Sequence, residues 1–290
     1  MTSSNSASDS QTDSAPAPTG FPNVGNTCFL NSALQVYTTM YPGTAAAVRG
    51  RPPMEWVRWW EKASAGQYSH GHQDDAQAVL VALLDWAAQE GKDQCGEERS
   101  GCEFTVARHY ECSACRRTFS LHRTRERFLF LEIPPGGGAG LDHRAYSLGD
   151  LLDYWSASSG EPGHRVPTAE LCPEDGGALG GGASAIERAP DRFWVVHIHR
   201  YRYTPRGEVV KRQDRVAWPM RWVDGDREYA LCAGLLHHGG SAQGGHYTAV
   251  VRRGRGSWWH CNDSLVVDAG DDISRLMEDA YVGVYERVSA

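Results

Sequence analysis

The hydrophobic pattern of this chain changes period between its two ends. From Cys28 to Gln35 it reads as an amphipathic helix, opened by a glycine-bearing turn over Asn23-Val24-Gly25-Asn26-Thr27. A second helical stretch carries Val79, Leu80, Val81, Leu83, Leu84 and Trp86, so its apolar side is expected to pack inward behind Asp75. Near the other end, Tyr247 to Val251 is rich in aromatic and β-branched residues, Gly254 and Gly256 punctuate a turn, and Trp258 to Cys261 resumes an extended pattern. That arrangement predicts two adjacent antiparallel strands. Residues 1–19 hold no aromatic residue and lack the apolar surface needed to offset chain entropy, so a disordered tail is expected there.

The two ends carry complementary chemistry. A helix N-terminus offers unpaired N–H groups and partial positive charge, which favour thiolate over thiol, so Cys28 is a candidate nucleophile. Asn23 lies on the same turn with a side-chain amide suited to a developing oxyanion. In the predicted hairpin, His246 opens one strand and Asn262 closes the next, so the two lie side by side. Asn262 can then bond one imidazole nitrogen and leave the other for a nucleophile from elsewhere in the chain. The competing reading makes Cys28 a small buried hydrophobe and Asn23 a turn former.

Gly20 to Gln35 meets every fixed position of G-x-x-N-x-G-N-T-C-[YF]-x-N-S-x-L-Q. Gly245 to Ala249, Trp258 or Trp259, and Asn262-Asp263 meet G-H-Y-x-A followed by W and [ND]-D. Between them stand Gln73-Asp74-Asp75-Ala76-Gln77, Phe193 to Tyr201, and Tyr229 to Ala233, in the same order as in the ubiquitin-specific proteases, which this chain resembles over nearly everything after residue 20. The resemblance implies an α+β papain-like cysteine protease core in a thumb, palm and fingers arrangement with an antiparallel palm sheet. The expected boundaries are thumb about 20–100, fingers about 101–192 and palm about 193–290, after the tail of residues 1–19.

It further implies a deubiquitinase that hydrolyses the isopeptide or peptide bond after ubiquitin's C-terminal glycine. Cys28 would be the nucleophile, His246 the base, Asn262 its orienting partner and Asn23 the oxyanion donor. Asp263 is either a rival to Asn262 or an auxiliary to the oxyanion site. Asp75, Gln77, Gly244, Gly245 and Tyr247 would meet the substrate tail, with the two glycines fitting a passage that admits only a diglycine end. Two alternatives share the architecture: a protease for a ubiquitin-like modifier, and a catalytically idle ubiquitin-binding module. The family usually has Glu where this chain has Ala78, which puts one contact in question, either with the ubiquitin tail or with neighbouring loops.

Composition bears on partners and metals. A formal net charge of −7 argues against a general nucleic-acid binder and suits a basic partner such as the arginine-bearing tail of ubiquitin. No apolar run reaches the ~18 residues of a membrane span, and no secretory signal is visible. A soluble monomer of the cytoplasm or nucleus is expected, with a host cell as one setting. The eight cysteines are therefore read as reduced thiols. Catalysis of this kind uses no cofactor. Cys112-Ser113-Ala114-Cys115 is a CxxC knuckle, and Cys172-Pro173-Glu174-Asp175 stands where the family places a second one. Two readings stay open: structural zinc held by Cys112, Cys115, Cys172 and a substitute such as Asp175 or His164, or a ribbon that folds without metal. Glycine-rich stretches at 136–140 and 176–182 are expected to be flexible loops flanking the fingers. His237, His238 and the glycines up to Gly244 are expected to gate the cysteine, with Tyr203 to Val210 as a companion loop. The two histidines lack a third ligand with metal-site spacing.

Overall fold

The computed structural model describes residues 16–91, 101–135, 145–158, 171–203, 207, 209–240, 244–254 and 256–288. The call of a disordered tail therefore falls mostly outside the described residues. Its last residues are placed: Pro18 is buried, and the Thr19 carbonyl accepts a 2.7 Å bond from Gln35 Nε2. The ordered chain thus reaches back before the expected boundary.

The first layer is helical. Helix α1 (Cys28–Met40) is buried at every position but Thr39, because it lies between a helix on one side and a sheet on the other. Short α2 (Ala45–Gly50), α3 (Pro53–Ala63) and α4 (Ala76–Gly91) follow. Proline at the start of α3 suits a position whose N–H has no partner within the helix. Trp56, Trp60, Val79, Leu80, Leu83 and Leu84 join Phe29, Leu34 and Tyr37 in one apolar cluster. Truncating a fully buried member such as Leu34 to Ala would cost about 2–5 kcal/mol.

Strands β1 (Phe104–Cys112) and β2 (Thr118–Glu126) then form an antiparallel pair, and β5 (Leu179–Arg188) pairs with the other edge of β1. Between them come β3 (Leu129–Glu132), β4 (Ala145–Ser147) and α5 (Leu148–Ser158). Gly180 and Gly182, expected in a loop, lie inside β5. A Cβ at Gly182 would come within 2.9 Å of the Tyr110 ring, so the glycine serves close cross-strand packing rather than mobility. The stretch 136–140 lies outside the described residues.

The remaining strands are β6 (Phe193–His199), β7 (Tyr201–Tyr203), β8 (Val209–Lys211), β9 (Arg215–Ala217), β10 (Arg221–Asp224), β11 (Arg227–His238), β12 (His246–Arg253), β13 (Ser257–Asn262), β14 (Leu265–Asp268) and β15 (Ala280–Arg287), with α6 (Ile273–Met277) before the last. An eight-stranded sheet runs β14-β13-β12-β11-β15-β6-β3, and β10 pairs with β11. Every neighbour is antiparallel except β3, which pairs with β6 in parallel and comes from the segment expected to belong to the fingers. Alternate residues along the strands face two apolar clusters. Phe193, Val195, Tyr247 and Ala249 meet the helical layer, while Trp194, Val196, Val250 and Tyr285 meet α5, α6 and the tryptophans Trp218 and Trp222. This is an α+β fold whose central sheet is covered on both faces. Arg127 ties its edge to the helices by bonding Asp85 of α4 and, at 3.2 Å, Glu103.

Candidate active site

The site forms where α1 meets the ends of β12 and β13. Gly25 (φ 115°) and Asn26 (φ 51°) both take left-handed backbone, which turns the chain sharply into α1. The Asn23 side chain sets this turn: its Oδ1 accepts from the N–H groups of Gly25 (3.1 Å) and Thr27 (3.2 Å) and from the Thr27 hydroxyl (3.3 Å). A neighbouring segment clamps it, since Asn26 Nδ2 donates to the Gly71 carbonyl at 2.7 Å and His70 Nε2 meets the Val24 carbonyl at 2.8 Å. Cys28 is thereby delivered as the first residue of α1.

Its thiol does not behave as helix position alone suggests. Cys28 is 4% exposed, and burial pushes its pKa above the ordinary thiol value of 9.0. The negative charge of Asp263 pushes the same way. Hydrogen bonds from the backbone N–H groups of Tyr247 and Phe29 and from the Gln73 side chain oppose these effects without overcoming them. The resting group is a neutral thiol that requires a base.

His246 and Asn262 stand together as the hairpin predicts, with His246 Nε2 2.7 Å from Asn262 Oδ1. With the amide oxygen accepting, Nε2 carries the proton and Nδ1 keeps its lone pair. Among the described residues, the side chain that bonds the Cys28 sulfur is Gln73 (3.7 Å) rather than His246, the looser arrangement common in substrate-free sites. Asp263 turns away from the imidazole. Its two oxygens accept from Asn23 Nδ2 (2.9 Å) and Asn31 Nδ2 (2.7 Å), which ties the end of the hairpin to the turn and to α1. Asn23 therefore has its oxygen committed to the turn and one amide hydrogen committed to Asp263. Among the described residues its second amide hydrogen meets no acceptor.

Gln73, which opens one of the ordered blocks but is given no role by the sequence, meets both Cys28 and the residue before His246. Its Nε2 donates to the Gly245 carbonyl and its Oδ-equivalent, Oε1, accepts from the Gly245 N–H at 3.1 Å, directly before His246. Nothing local in the sequence points the glutamine at a glycine 172 positions away.

The residues expected to meet substrate are placed as follows. Asp75 Oδ1 accepts from the Gln77 N–H (2.9 Å) and from the Tyr281 hydroxyl (3.1 Å), so it caps α4 while facing the sheet. Burial raises its pKa above the usual carboxylate value. Gln77 is half-buried on the first turn of α4. Tyr247 is buried, its ring 4.6 Å from that of His237 and 5.9 Å from that of Tyr281. Gly244 is open on its Cβ side, but a Cβ on Gly245 would lie 2.2 Å from His237 Nε2 and 2.4 Å from the His238 carbonyl oxygen. Packing within the protein thus accounts for Gly245.

The histidine pair binds within the protein as well. His237 Nδ1 faces the Tyr201 hydroxyl (3.0 Å) and Lys211 Nζ (3.1 Å), and Lys211 also donates to the carbonyls of His237 and Gly239. Lys211 in this way fastens β8 to the end of β11 and to Gly239 just after it. Residues 204–206, 208 and 241–243 of the two loops lie outside the described residues. His238 and His260 both reach the buried Thr248 hydroxyl, at 2.8 and 3.0 Å.

Away from this centre, Cys112, Cys115, Cys172 and Asp175 place their donor atoms within 4.8 Å of one another. Cys112 Sγ accepts from the N–H groups of Ala114 (3.3 Å) and Cys115 (3.4 Å), the knuckle geometry that stabilises a metal-bound thiolate. The Gly177 N–H and nearby thiols hold the Asp175 carboxyl down at about 2, so it is ionised at neutral pH. Three sulfurs and one carboxylate at this spacing fit a tetrahedral zinc ion. His164, the other substitute considered, lies outside the described residues. No helix among the described residues is long and apolar enough to cross a membrane.

Comparison with known proteins agrees with the geometry. A family profile described as ubiquitin carboxyl-terminal hydrolase matches residues 53–285. The chain is 23% identical to "Probable ubiquitin carboxyl-terminal hydrolase 16" of Schizosaccharomyces pombe, over 94% of this chain and 68% of that protein. It is 24% identical to ubiquitin carboxyl-terminal hydrolase 23 of Arabidopsis thaliana, over 92% of this chain but 35% of that one. Among solved structures, the SAGA DUB module of Ubp8, Sgf11, Sus1 and Sgf73 bound to monoubiquitin superposes with a TM-score of 0.73 at 16% identity, covering 94% of this chain and 69% of the other. The same module bound to ubiquitin aldehyde gives 0.69.

Proposed function

Because this chain belongs to the ubiquitin carboxyl-terminal hydrolase family, we propose that it is a cysteine-type deubiquitinase in which Cys28, His246 and Asn262 form the catalytic set. The observation that carries this reading is the convergence of a buried thiol and an Asn-oriented imidazole around a turn whose amide donor is fixed in one orientation.

His246 Nδ1 takes the Cys28 proton, and the sulfur attacks the carbonyl carbon of the modifier's terminal glycine. The oxyanion is held by the free amide hydrogen of Asn23 and by backbone N–H groups at the start of α1. The imidazolium then gives its proton to the departing lysine amine. Water, deprotonated by His246, hydrolyses the thioester and returns the thiol. Asn262 keeps the imidazole in the tautomer this sequence needs, and Asp263 acts through Asn23 rather than through the base. Asp75, Gln77, Gly244, Gly245 and Tyr247 line the approach of the tail.

No step uses a cofactor. Zinc, where Cys112, Cys115, Cys172 and Asp175 hold it, joins the two knuckles at the end of the three-stranded sheet and supplies stability, not chemistry. We divide the chain as expected from the sequence, with β3 and α5 assigned to the palm. The seven described cysteines are all free, which supports a reducing compartment, the cytoplasm or nucleus, and we read the protein as a monomer that takes ubiquitin as its partner.

The deciding experiment incubates the protein with ubiquitin carrying a C-terminal thiol-reactive group. A covalent adduct that disappears in Cys28→Ala is expected. An adduct formed only with a ubiquitin-like probe would reassign the substrate, and none with any probe would leave an idle binding module.

A further inference from the structure

Away from the nucleophile, two arginines approach each other without an acid between them. Arg49 lies in the last turn of α2, and Arg253 ends β12. Arg253 Nη1 donates to the Thr38 carbonyl at 3.4 Å, which draws its guanidinium towards the C-terminal end of α1. At Cys261 of β13, burial pushes the thiol up to about 12, and the charges of Arg253 and Arg49 both oppose that rise. Burial lowers the Arg253 pKa, and the Arg49 charge adds to the effect. No carboxylate acts on Arg253, and among the described residues neither arginine forms an ion pair.

Three of their nitrogens are buried with no acceptor: Arg49 Nε and Nη2, and Arg253 Nη2. Nε and Nη2 make up one edge of a guanidinium, the fork that pairs with two oxygens of an anion. Trp259 Nε1 is a fourth buried donor without a partner. Trp259 pairs with Val251, two residues before Arg253, so it shares a sheet face with Arg253 and stands diagonal to it. None of these groups can accept a hydrogen bond, and the one orphaned acceptor of α1, Gln35 Oε1, cannot match all four. Buried donors in such number call for an acceptor from outside the chain. The place is not core interior. Arg49 and Arg253 are both half-exposed, and Gly50, Arg51 and Gly254 beside them are exposed, so an ion enters at the rim between α2 and the turn from β12 to β13.

We propose that Arg49 and Arg253 form a binding site for a small tetrahedral oxyanion of the phosphate type, with Trp259 Nε1 as a further donor. The donor set selects the class. Two guanidiniums balance a divalent anion, and donors arriving from a helix and from two strands suit oxygens disposed tetrahedrally better than the coplanar pair of a carboxylate. The inner position of the nitrogens selects a free ion over a phosphorylated chain. Bound there, the ion ties α2 to the far ends of α1 and β12, the two elements whose other ends deliver Cys28 and His246. It touches neither residue, and the site stands independently of the hydrolase reading.

The test records melting temperatures of the full chain in chloride, acetate, sulfate and phosphate at matched ionic strength, together with a calorimetric titration of phosphate. Wild type is expected to bind one phosphate per chain. It should melt about 5 °C higher once phosphate reaches about a hundred times its dissociation constant, with sulfate acting alike and acetate giving little. Arg49→Met and Arg253→Met keep the apolar stem and should lose the binding heat. In chloride, Arg49→Met is expected to melt no lower than wild type, because it removes a like charge and two orphaned donors; in phosphate it should melt lower. A merely structural arginine would not reverse that order. Absence of binding heat in wild type, an equal rise with acetate, or an equal loss for Arg49→Met in chloride and in phosphate overturns the site. So does a phosphate effect undiminished in Arg49→Met, which would be the general stabilisation this salt gives any folded protein. Should Arg253→Met fail to fold through loss of its bond to Thr38, Arg49→Met and the titration decide the matter.

Discussion

Asp263 holds the Asn23 side-chain amide at 2.9 Å, so the residue beside Asn262 bonds the turn that carries Cys28, while Asn262 bonds the imidazole. One carboxylate spans three pieces of chain, since its other oxygen accepts from Asn31 at 2.7 Å. The last residue of β13 and the one after it thereby bond two different members of the proposed catalytic set, the His246 imidazole and the Asn23 amide.

If Asp263 works through Asn23, their substitutions should not add. Asn23→Ala is expected to lower kcat on ubiquitin substrates by about 10² to 10³, the usual cost of one oxyanion donor. Asp263→Ala should lower it less, and the double variant should match Asn23→Ala alone. Fully multiplied losses in the double variant would show that Asp263 has an independent role.

The thiol should react with iodoacetamide as a neutral, buried group. Burial raises the Cys28 pKa above 9.0, and the proton leaves readily only when a base takes it. In His246→Ala, alkylation of the peptide containing Cys28, followed by mass spectrometry, is expected to accelerate with pH along a curve displaced to the alkaline side of an ordinary thiol. A midpoint below 9.0 would mean that the helix terminus outweighs burial.

Buried histidines should make the fold acid-sensitive. Burial, with the neighbouring His199 adding to it, holds His197 at about 4 against 6.5 for the unfolded chain. The unfolded state therefore binds the extra proton between these values. Stability is complete above pH 6.5 and falls as pH drops towards 4, by about 3 kcal/mol at the lower end. Chemical denaturation across this range should show a slope that His197→Gln flattens by close to one proton.

At the knuckles, replacing the carboxylate by the thiolate that zinc prefers should tighten binding. Asp175→Cys is expected to raise zinc affinity at least tenfold in competition with a chromophoric chelator, and Cys172→Ser to lower it. Chelator treatment of the wild-type protein should lower its melting temperature. No change in metal content across these variants would assign the cluster to a metal-free fold.

Much of the centre was legible because its parts carry local signals. Cys28 follows a turn that Gly25 and Asn26 announce, and His246 and Asn262 are brought together by a hairpin whose strands and glycines are contiguous in sequence. What escaped depends on contacts between distant segments. The contact of Gln73 with Gly245 requires the segment before α4 to be docked against the start of β12, and the parallel pairing of β3 with β6 depends on a connection that hydrophobic pattern does not encode. The Cys28 thiol differs in direction from the helix-terminus expectation for the same reason. Helix position is a local property and favours thiolate, whereas burial comes from packing of α1 against β12 and wins. Gly182 likewise reads as loop punctuation until the Tyr110 ring is placed over it.

The paired bonds between Gln73 and Gly245 join the segment before α4 to the start of β12. Because the same amide also bonds the Cys28 sulfur, one side chain ties three distant stretches of chain together at the thiol, and a change at any of the three is felt by the other two.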